Sequence, residues 1–312
     1  MLRRGLLWLS EQQQVFNFVR RNRLAKRFAS RFVAGETADE GARAAEGLAR
    51  RGVTATLDLL GESVHKAEAS EAAAAQYVAL LERMAQSPGI EVNASVKLTQ
   101  MGFDLDEELC FRNVSRILDR ARELNGFVRI DMESSAHTQR TLDFFSQRLL
   151  PAYGTERVGV VIQSALRRST EDVKRLIALK ARVRLCKGAY LEPPEVAFPD
   201  KADVDRHYLE LMDRLLREGS YPALATHDQA IIGAARKLAA REAIPPERYE
   251  FQMLYGIRRD LQDELRAAGH RVRVYIPFGT QWYPYLMRRL AERPANIVFI
   301  LGNVLREGTL RR

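Results

Sequence analysis

The sequence predicts a (β/α)8 TIM-type barrel with an N-terminal helical extension, and three observations carry that prediction. From residue 53 onward, eight short β-rich runs recur. Each is followed by a longer stretch with the apolar spacing of an amphipathic helix. The runs also begin apolar and gather polar side chains towards their C-terminal ends. Strands alternating with helices imply parallel pairing, and eight such units imply closure into a barrel.

In chain order the runs are "VTATLDLLGE" from Val53, "IEVNASVKLT" from Ile90, "FVRIDMES" from Phe127, "RVGVVIQSA" from Arg157, "RVRLCKGAY" from Arg182, "YPALATHD" from Tyr221, "RYEFQMLYG" from Arg248 and "RVRVYIPFG" from Arg271. Between them, "EDVKRLIALKA" after Thr170 and "RRDLQDELRAAGH" after Ile257 have the period of helices facing a sheet. An open doubly wound sheet is the structural competitor. That fold places a glycine-rich phosphate loop after its first strand, whereas "LDLLGESVHK" has one glycine.

Residues 1–52 read as helices that pack on a barrel spanning 53–312. "ETADEGARAAEGLARRG" supplies a helix cap at Thr37 and a glycine stop at Gly52. Before it, "MLRRGLLWLSEQQQ" is too short in its apolar part for a signal-peptide core or a membrane span and reads as an amphipathic helix.

At 312 residues and 46% hydrophobic, the chain can bury a barrel-sized core. A net charge of +9 permits anionic partners, but the basic residues are scattered among 40 acids without a basic block or interleaved aromatics. That argues against nucleic acid. Two cysteines, Cys110 and Cys186, lie far apart, giving neither a disulfide framework nor a metal spacing and fitting a reducing cytoplasm. The five histidines show no HxH or HExxH pattern, so no metal is expected.

In a barrel the C-terminal strand ends line one rim, and that rim carries the active site. Glu62, Lys97, Asp131, Gln163, Arg184 with Lys187, His227 with Asp228, Gln252 and Tyr275 all fall late in their runs. Each has a plainer alternative: Lys97 could snorkel to water and Asp131 could cap the next helix. Arg184 and Lys187 beside Gly188 offer an anion contact. With cations, amides and a few acids but no nucleophile elbow, the rim fits a bound cofactor better than covalent catalysis.

Several segments together resemble the flavin-dependent proline dehydrogenases, in particular the short monofunctional bacterial form: "LDLLGE", "SVKLTQ", "RIDMES", "VVIQS", "RLCKGAYLEP", "EVAFPDKADVDRHYLEL", "ATHD", "EFQMLYG" and "YIPFGTQWYPYLMRRLAERPAN". The resemblance implies oxidation of L-proline to Δ1-pyrroline-5-carboxylate, with hydride passing to N5 of FAD and electrons onward to a membrane quinone. It implies Arg288, Arg289 and Lys97 as a clamp on the substrate carboxylate, with Asp131 as the acid that pairs with these cations. Arg184 is implied near flavin N5. Met132, Gln163, Lys187, Gly188, Ala189, Thr226, His227 and Glu292 are implied as further cofactor contacts. Tyr275, Tyr285, Leu185 and Tyr190 are implied as the wall around the pyrrolidine ring.

The quinone coupling that the resemblance implies adds peripheral contact at the inner face of the cell membrane to the cytoplasmic reading of the cysteines, and the product is expected to pass to a separate pyrroline-5-carboxylate dehydrogenase. The chain departs from the large bifunctional relatives in having Leu191 where they carry Trp, and no room for aldehyde dehydrogenase or DNA-binding regions. Its spacing from Tyr275 to Arg288 fits the short form. Tyr285, Arg288, Arg289 and Glu292 are spaced i, i+3, i+4, i+7, a single polar stripe on the helix that Pro294 ends. Two alternatives stand beside this reading: a barrel flavoprotein of the methylenetetrahydrofolate reductase kind, and a non-enzymatic polyanion-binding protein.

Overall fold

A computed structural model of the chain describes residues 29–61 and 63–292, with side chains through 287. Eight parallel strands close into a barrel in sequential order, β1 pairing with β8. The strands are β1 (Thr54–Leu59), β2 (Asn93–Val96), β3 (Phe127–Ile130), β4 (Val158–Gln163), β5 (Arg182–Cys186), β6 (Ala223–Ala225), β7 (Glu250–Leu254) and β8 (Val272–Phe278). All eight runs read from the sequence are strands of this sheet. Every residue of β2, β3 and β4 is buried, as expected where helices cover one face of a parallel strand and barrel filling covers the other.

Helices α1 (Ala38–Ala49), α2 (Ala67–Ala85), α3 (Glu107–Glu123), α4 (Ser135–Phe144), α5 (Ser169–Ala178), α6 (Lys201–Glu218), α7 (Gln229–Arg241), α8 (Arg259–Ala267) and α9 (Trp282–Glu292) alternate with the strands. In α3 the buried side chains Leu109, Cys110, Asn113, Val114, Ile117, Leu118 and Ala121 recur with the helical period, and the Asp106 carboxylate caps its first turn by accepting from Leu109 N at 2.6 Å. Fully burying an Ile or Leu here contributes about 1.5–3 kcal/mol per side chain.

The Thr37 cap forms with Glu40 as a capping box, and Gly52 turns the chain out of α1 with φ +70°. α1 then packs against the outer faces of β1 and β8. A Cβ on Gly41 would stand 2.9 Å from Leu57 and 3.2 Å from Phe278. That seam is where a helix following β8 would lie in a simple eightfold repeat. α9 instead gathers Trp282, Tyr283, Tyr285 and Leu286 with Ala29, Val33 and Leu60 at the C-terminal ends of β1 and β8. Residues on the two sides of the 52/53 boundary thus share one core.

Candidate active site

The site is built where each strand ends. Lys97 and Asp131 stand one residue beyond β2 and β3, Gln163 is the last residue of β4, Lys187 follows β5, and Thr226 follows β6. Asp131 accepts from Arg184 Nη1 at 2.8 Å through one oxygen and from Tyr275 OH at 2.8 Å through the other. Arg184 Nη2 donates to Ser95 Oγ at 3.0 Å, and its guanidinium lies 5.2 Å from the Tyr275 ring centroid. Lys97 Nζ contacts Asp58 Oδ1 at 2.6 Å. Both ion pairs are largely shielded, with side-chain exposures of 13% and 1% for Lys97 and Asp58 and of 6% and 12% for Arg184 and Asp131.

Burial pushes the Asp58 carboxyl up; Lys97 opposes that and the neighbouring Asp131 charge reinforces it. Burial first, then Asp131 and Asp58, hold the Tyr275 phenol protonated far above its ordinary range. The phenol is therefore a fixed donor to Asp131. From α2, Tyr77 OH donates to Ser95 O at 2.7 Å and accepts from Leu59 N at 3.2 Å, tying β1 to β2 below the pair.

A second group of side chains lines the β4–β6 side. Gln163 Nε2 donates to Glu133 O at 2.7 Å and to Met132 O at 3.4 Å. Gly188 has φ +103°, and a Cβ there would meet Gln163 Oε1 at 2.7 Å, so only glycine lets the backbone at 187–189 lie against Gln163. Lys187 Nζ contacts Asp205 Oδ1 at 2.5 Å and Asp228 Oδ2 at 2.9 Å. Burial pulls the Asp228 carboxyl up, but the hydrogen bond and charge of Lys187 together with the backbone N–H groups of Ala230 and Ile231 hold it below the usual range. Asp228 N donates to Thr226 Oγ1 at 3.1 Å, and Leu254 N donates to His227 Nε2 at 3.0 Å. A glycine-backed amide strip, a lysine and an amide side chain suit a ligand that is anionic in one part and hydrogen-bonding in another.

The placement differs from the sequence expectation at several residues. Among the described side chains, Lys97 pairs with Asp58, while Asp131 pairs with Arg184 and Tyr275. Asp131 caps no helix: the N-cap of α4 is Ser134. Gln252 lies deeper in the barrel, where it donates to Glu250 Oε1 at 2.5 Å. Leu185 alternates with the inward-facing Arg184 and is fully buried in the outer core. Tyr190 stands 37% exposed on the loop leaving β5, with Ala189 beside it, and Met132 packs in the core. Tyr285 is buried in the α9 cluster. Arg288, Arg289 and Glu292 belong to the α9 backbone, but their side chains, like Glu62 and the first 28 residues, lie outside the described residues. Asp58 was missed, although an acid at an inward position of "TATLDL" is the signal that finds it.

The proline dehydrogenase family model matches residues 42–300. This chain belongs to the proline dehydrogenase family. A proline dehydrogenase of Deinococcus radiodurans is 41% identical over 98% of both chains. Proline dehydrogenase 1 of Bacillus subtilis is 40% identical over 98% of this chain and 100% of that one. Among solved structures, proline utilization A from Bdellovibrio bacteriovorus, inactivated by N-propargylglycine, superposes with a TM-score of 0.80 at 27% identity over 90% of this chain. The chain spans about a third of that longer protein, 34% of its length. Membership makes the chain an oxidoreductase of proline catabolism. Among the described residues no His, Cys, Asp or Glu cluster could hold a metal ion.

Proposed function

We propose that this chain is a monofunctional, FAD-dependent enzyme that oxidises L-proline to Δ1-pyrroline-5-carboxylate and delivers the electrons to a membrane quinone. The observation that carries the reading is the pair of shielded ion pairs, Lys97–Asp58 and Arg184–Asp131–Tyr275, at the C-terminal mouth of a barrel of this family.

Lys97, with Arg288 and Arg289 from α9, is assigned to the substrate carboxylate. A planar carboxylate takes bidentate guanidinium contacts, and three fixed cations orient the ring behind it. Asp131 holds Arg184 and Tyr275 in one geometry, so the Tyr275 ring can serve as a wall while Arg184 keeps its charge in the mouth. The cofactor residues are Met132, Gln163, Arg184, Lys187, Gly188, Ala189, Thr226, His227 and Glu292, and the Gly188 strip against Gln163 fits an extended dinucleotide. The flavin supplies the two-electron acceptor. The buried barrel floor keeps bulk water from the reacting face. Tyr285 and Tyr190 remain candidates for contact with the ring from α9 and from the β5 loop.

No described helix is long and apolar enough to cross a membrane. Contact with the quinone is therefore assigned to peripheral docking at the inner membrane face, and the product goes to a separate pyrroline-5-carboxylate dehydrogenase. Purified protein should be yellow and should bleach anaerobically on addition of L-proline. Colourless protein that cannot be reconstituted with FAD refutes the reading, and bleaching by a reduced nicotinamide instead of proline favours a reductase. Arg288→Met should raise KM for proline severely while flavin stays bound.

A further inference from the structure

The cations inside the barrel are paired unevenly. Three inward cations have acids in contact: Lys97 with Asp58 at 2.6 Å, Arg184 with Asp131 at 2.8 Å and Arg273 with Glu250 at 3.0 Å. Arg129, two residues before Asp131 and 3% exposed, has no carboxylate contact among the described residues. Its Nη1 donates only to backbone carbonyls, Arg182 O at 2.5 Å and Val160 O at 3.5 Å. Gly159 makes that path open, since a Cβ there would stand 2.6 Å from Arg129 Nη1.

The register shows what surrounds this guanidinium. Inward residues of alternate strands form a common layer in a tilted eight-stranded barrel, four side chains to a layer. Following the pairs Asp58↔Ser95, Ser95↔Arg129, Gly159↔Arg182, Ala223↔Glu250 and Gln252↔Arg273, with one residue of offset per strand, places Thr56, Arg129, Arg184 and Gln252 at one height. Three of these four carry a buried polar atom without a hydrogen-bond partner: Thr56 Oγ1, Arg129 Nε and Arg184 Nε. Orphaned buried polar atoms are rare, and three in one layer beside a guanidinium with no carboxylate in contact indicate a shared ligand. Both Nε–H groups can only donate and the hydroxyl can donate, so the ligand is an acceptor. Burial and then the Arg184 charge lower the Arg129 pKa to about 9, which leaves the guanidinium protonated at neutral pH.

We propose that the middle layer of the barrel binds a small monovalent anion of halide size, held by Arg129 Nε, Arg184 Nε and the Thr56 hydroxyl. Water could accept two of these donors, but it leaves Arg129 with no counter-charge in contact in a low-dielectric interior, whereas a halide answers both needs. The anion then braces Arg184 from beneath while Asp131 holds it from above. This site lies below the mouth and does not depend on the substrate or cofactor assignments.

The test uses whole protein purified and crystallised with bromide in place of chloride. A bromine anomalous peak inside the barrel, within contact of Arg129 and Arg184 in the wild type and missing in Arg129→Met, is expected. Peaks confined to the surface, or density of a water in that layer without anomalous signal, overturn the proposal. In solution, the wild type should melt higher in sodium chloride than in sodium gluconate at equal ionic strength, and Arg129→Met should lose that difference. Should Arg129→Met fail to fold, Thr56→Val keeps the side-chain shape and should weaken halide affinity about tenfold, the loss of one buried hydrogen bond. A wild-type melting temperature equal in the two salts also overturns the proposal.

Discussion

Asp131→Asn is the sharpest probe of the mouth, because the aspartate spends both oxygens on donors. Arg184 Nη1 and Tyr275 OH each reach it at 2.8 Å. An amide has one acceptor oxygen, so one partner must face an N–H group with another donor. The Arg184–Asp131 pair is only 6% and 12% exposed, so solvent screens little of the lost charge. Breaking a shielded pair on one side costs about 3–5 kcal/mol. At about 1.4 kcal/mol per tenfold, kcat/KM for proline should fall about 10²- to 10³-fold if most of that cost appears in the transition state. Tyr275→Phe keeps the ring over Arg184 and leaves the ion pair intact, so about a tenfold loss is expected. The double variant should lose less than the product of the singles, since removing the phenol relieves the donor–donor contact. Steady-state proline oxidation with a soluble dye acceptor, alongside thermal unfolding, measures all three. Asp131→Asn within threefold of wild type and equally stable, or Tyr275→Phe as damaging as Asp131→Asn, refutes the reasoning.

Other perturbations follow from the same contacts. Burial raises the Glu250 carboxyl, but Arg273, with help from the Gln252 hydrogen bond and the Arg129 charge, brings the pKa down from 4.5 to about 2. A folded pKa below the unfolded one stabilises the fold above pH 4.5 and is lost as pH falls towards 2. Glu250→Gln should therefore lower stability by about 3–5 kcal/mol at neutral pH. It should also flatten the acid limb in urea titrations run against pH; an unchanged limb contradicts the assignment. Lys97→Met leaves Asp58 buried without its Nζ contact, so adding Asp58→Asn should recover about 1–3 kcal/mol of the lost stability in urea unfolding without recovering turnover. A double variant less stable than Lys97→Met counts against that pairing. Gly188→Ala forces a side chain onto φ +103° and against Gln163 Oε1 at 2.7 Å. Its flavin-to-protein absorbance ratio should fall well below wild type, and full loading would remove Gly188 from the cofactor strip.

Much of this architecture was legible because parallel strands buried on both faces must be written almost wholly in apolar residues, as "VGVVIQ" of β4 is. The rim was legible for a related reason: a polar side chain ending such a run must reach the mouth, as Lys97, Gln163 and Lys187 do. Depth was less accessible. Arg184, Gln252 and Tyr275 were expected at the rim yet sit mid-strand, because each run continues past the C-terminal end of its strand and the tilt sets each strand's height independently. Partner choice was hidden too. Asp58 and Lys97 are 39 residues apart and meet because β1 and β2 pair with Asp58 opposite Ser95. Nor does local pattern place α1 on the β1–β8 seam. Its apolar face specifies burial against some partner, and only the displacement of α9 towards the strand ends leaves that seam to it.

That displacement bears on function as well as on packing. A barrel filled with branched apolar side chains gains its stability from its own interior, and helices outside it are interchangeable cover. Here the interior holds Asp58, Lys97, Asp131, Arg184, Arg129, Glu250 and Arg273, whose desolvation each ion pair only roughly cancels. The net stabilisation must therefore come from the outer shell, where Leu57, Phe278, Ile117, Leu185 and Leu224 pack beneath the helices. Without α1 over β1 and β8, that shell would be open at the seam beside Asp58. α1 thus closes the seam that α9 leaves, and the polar interior that positions Arg184 and Tyr275 depends on it.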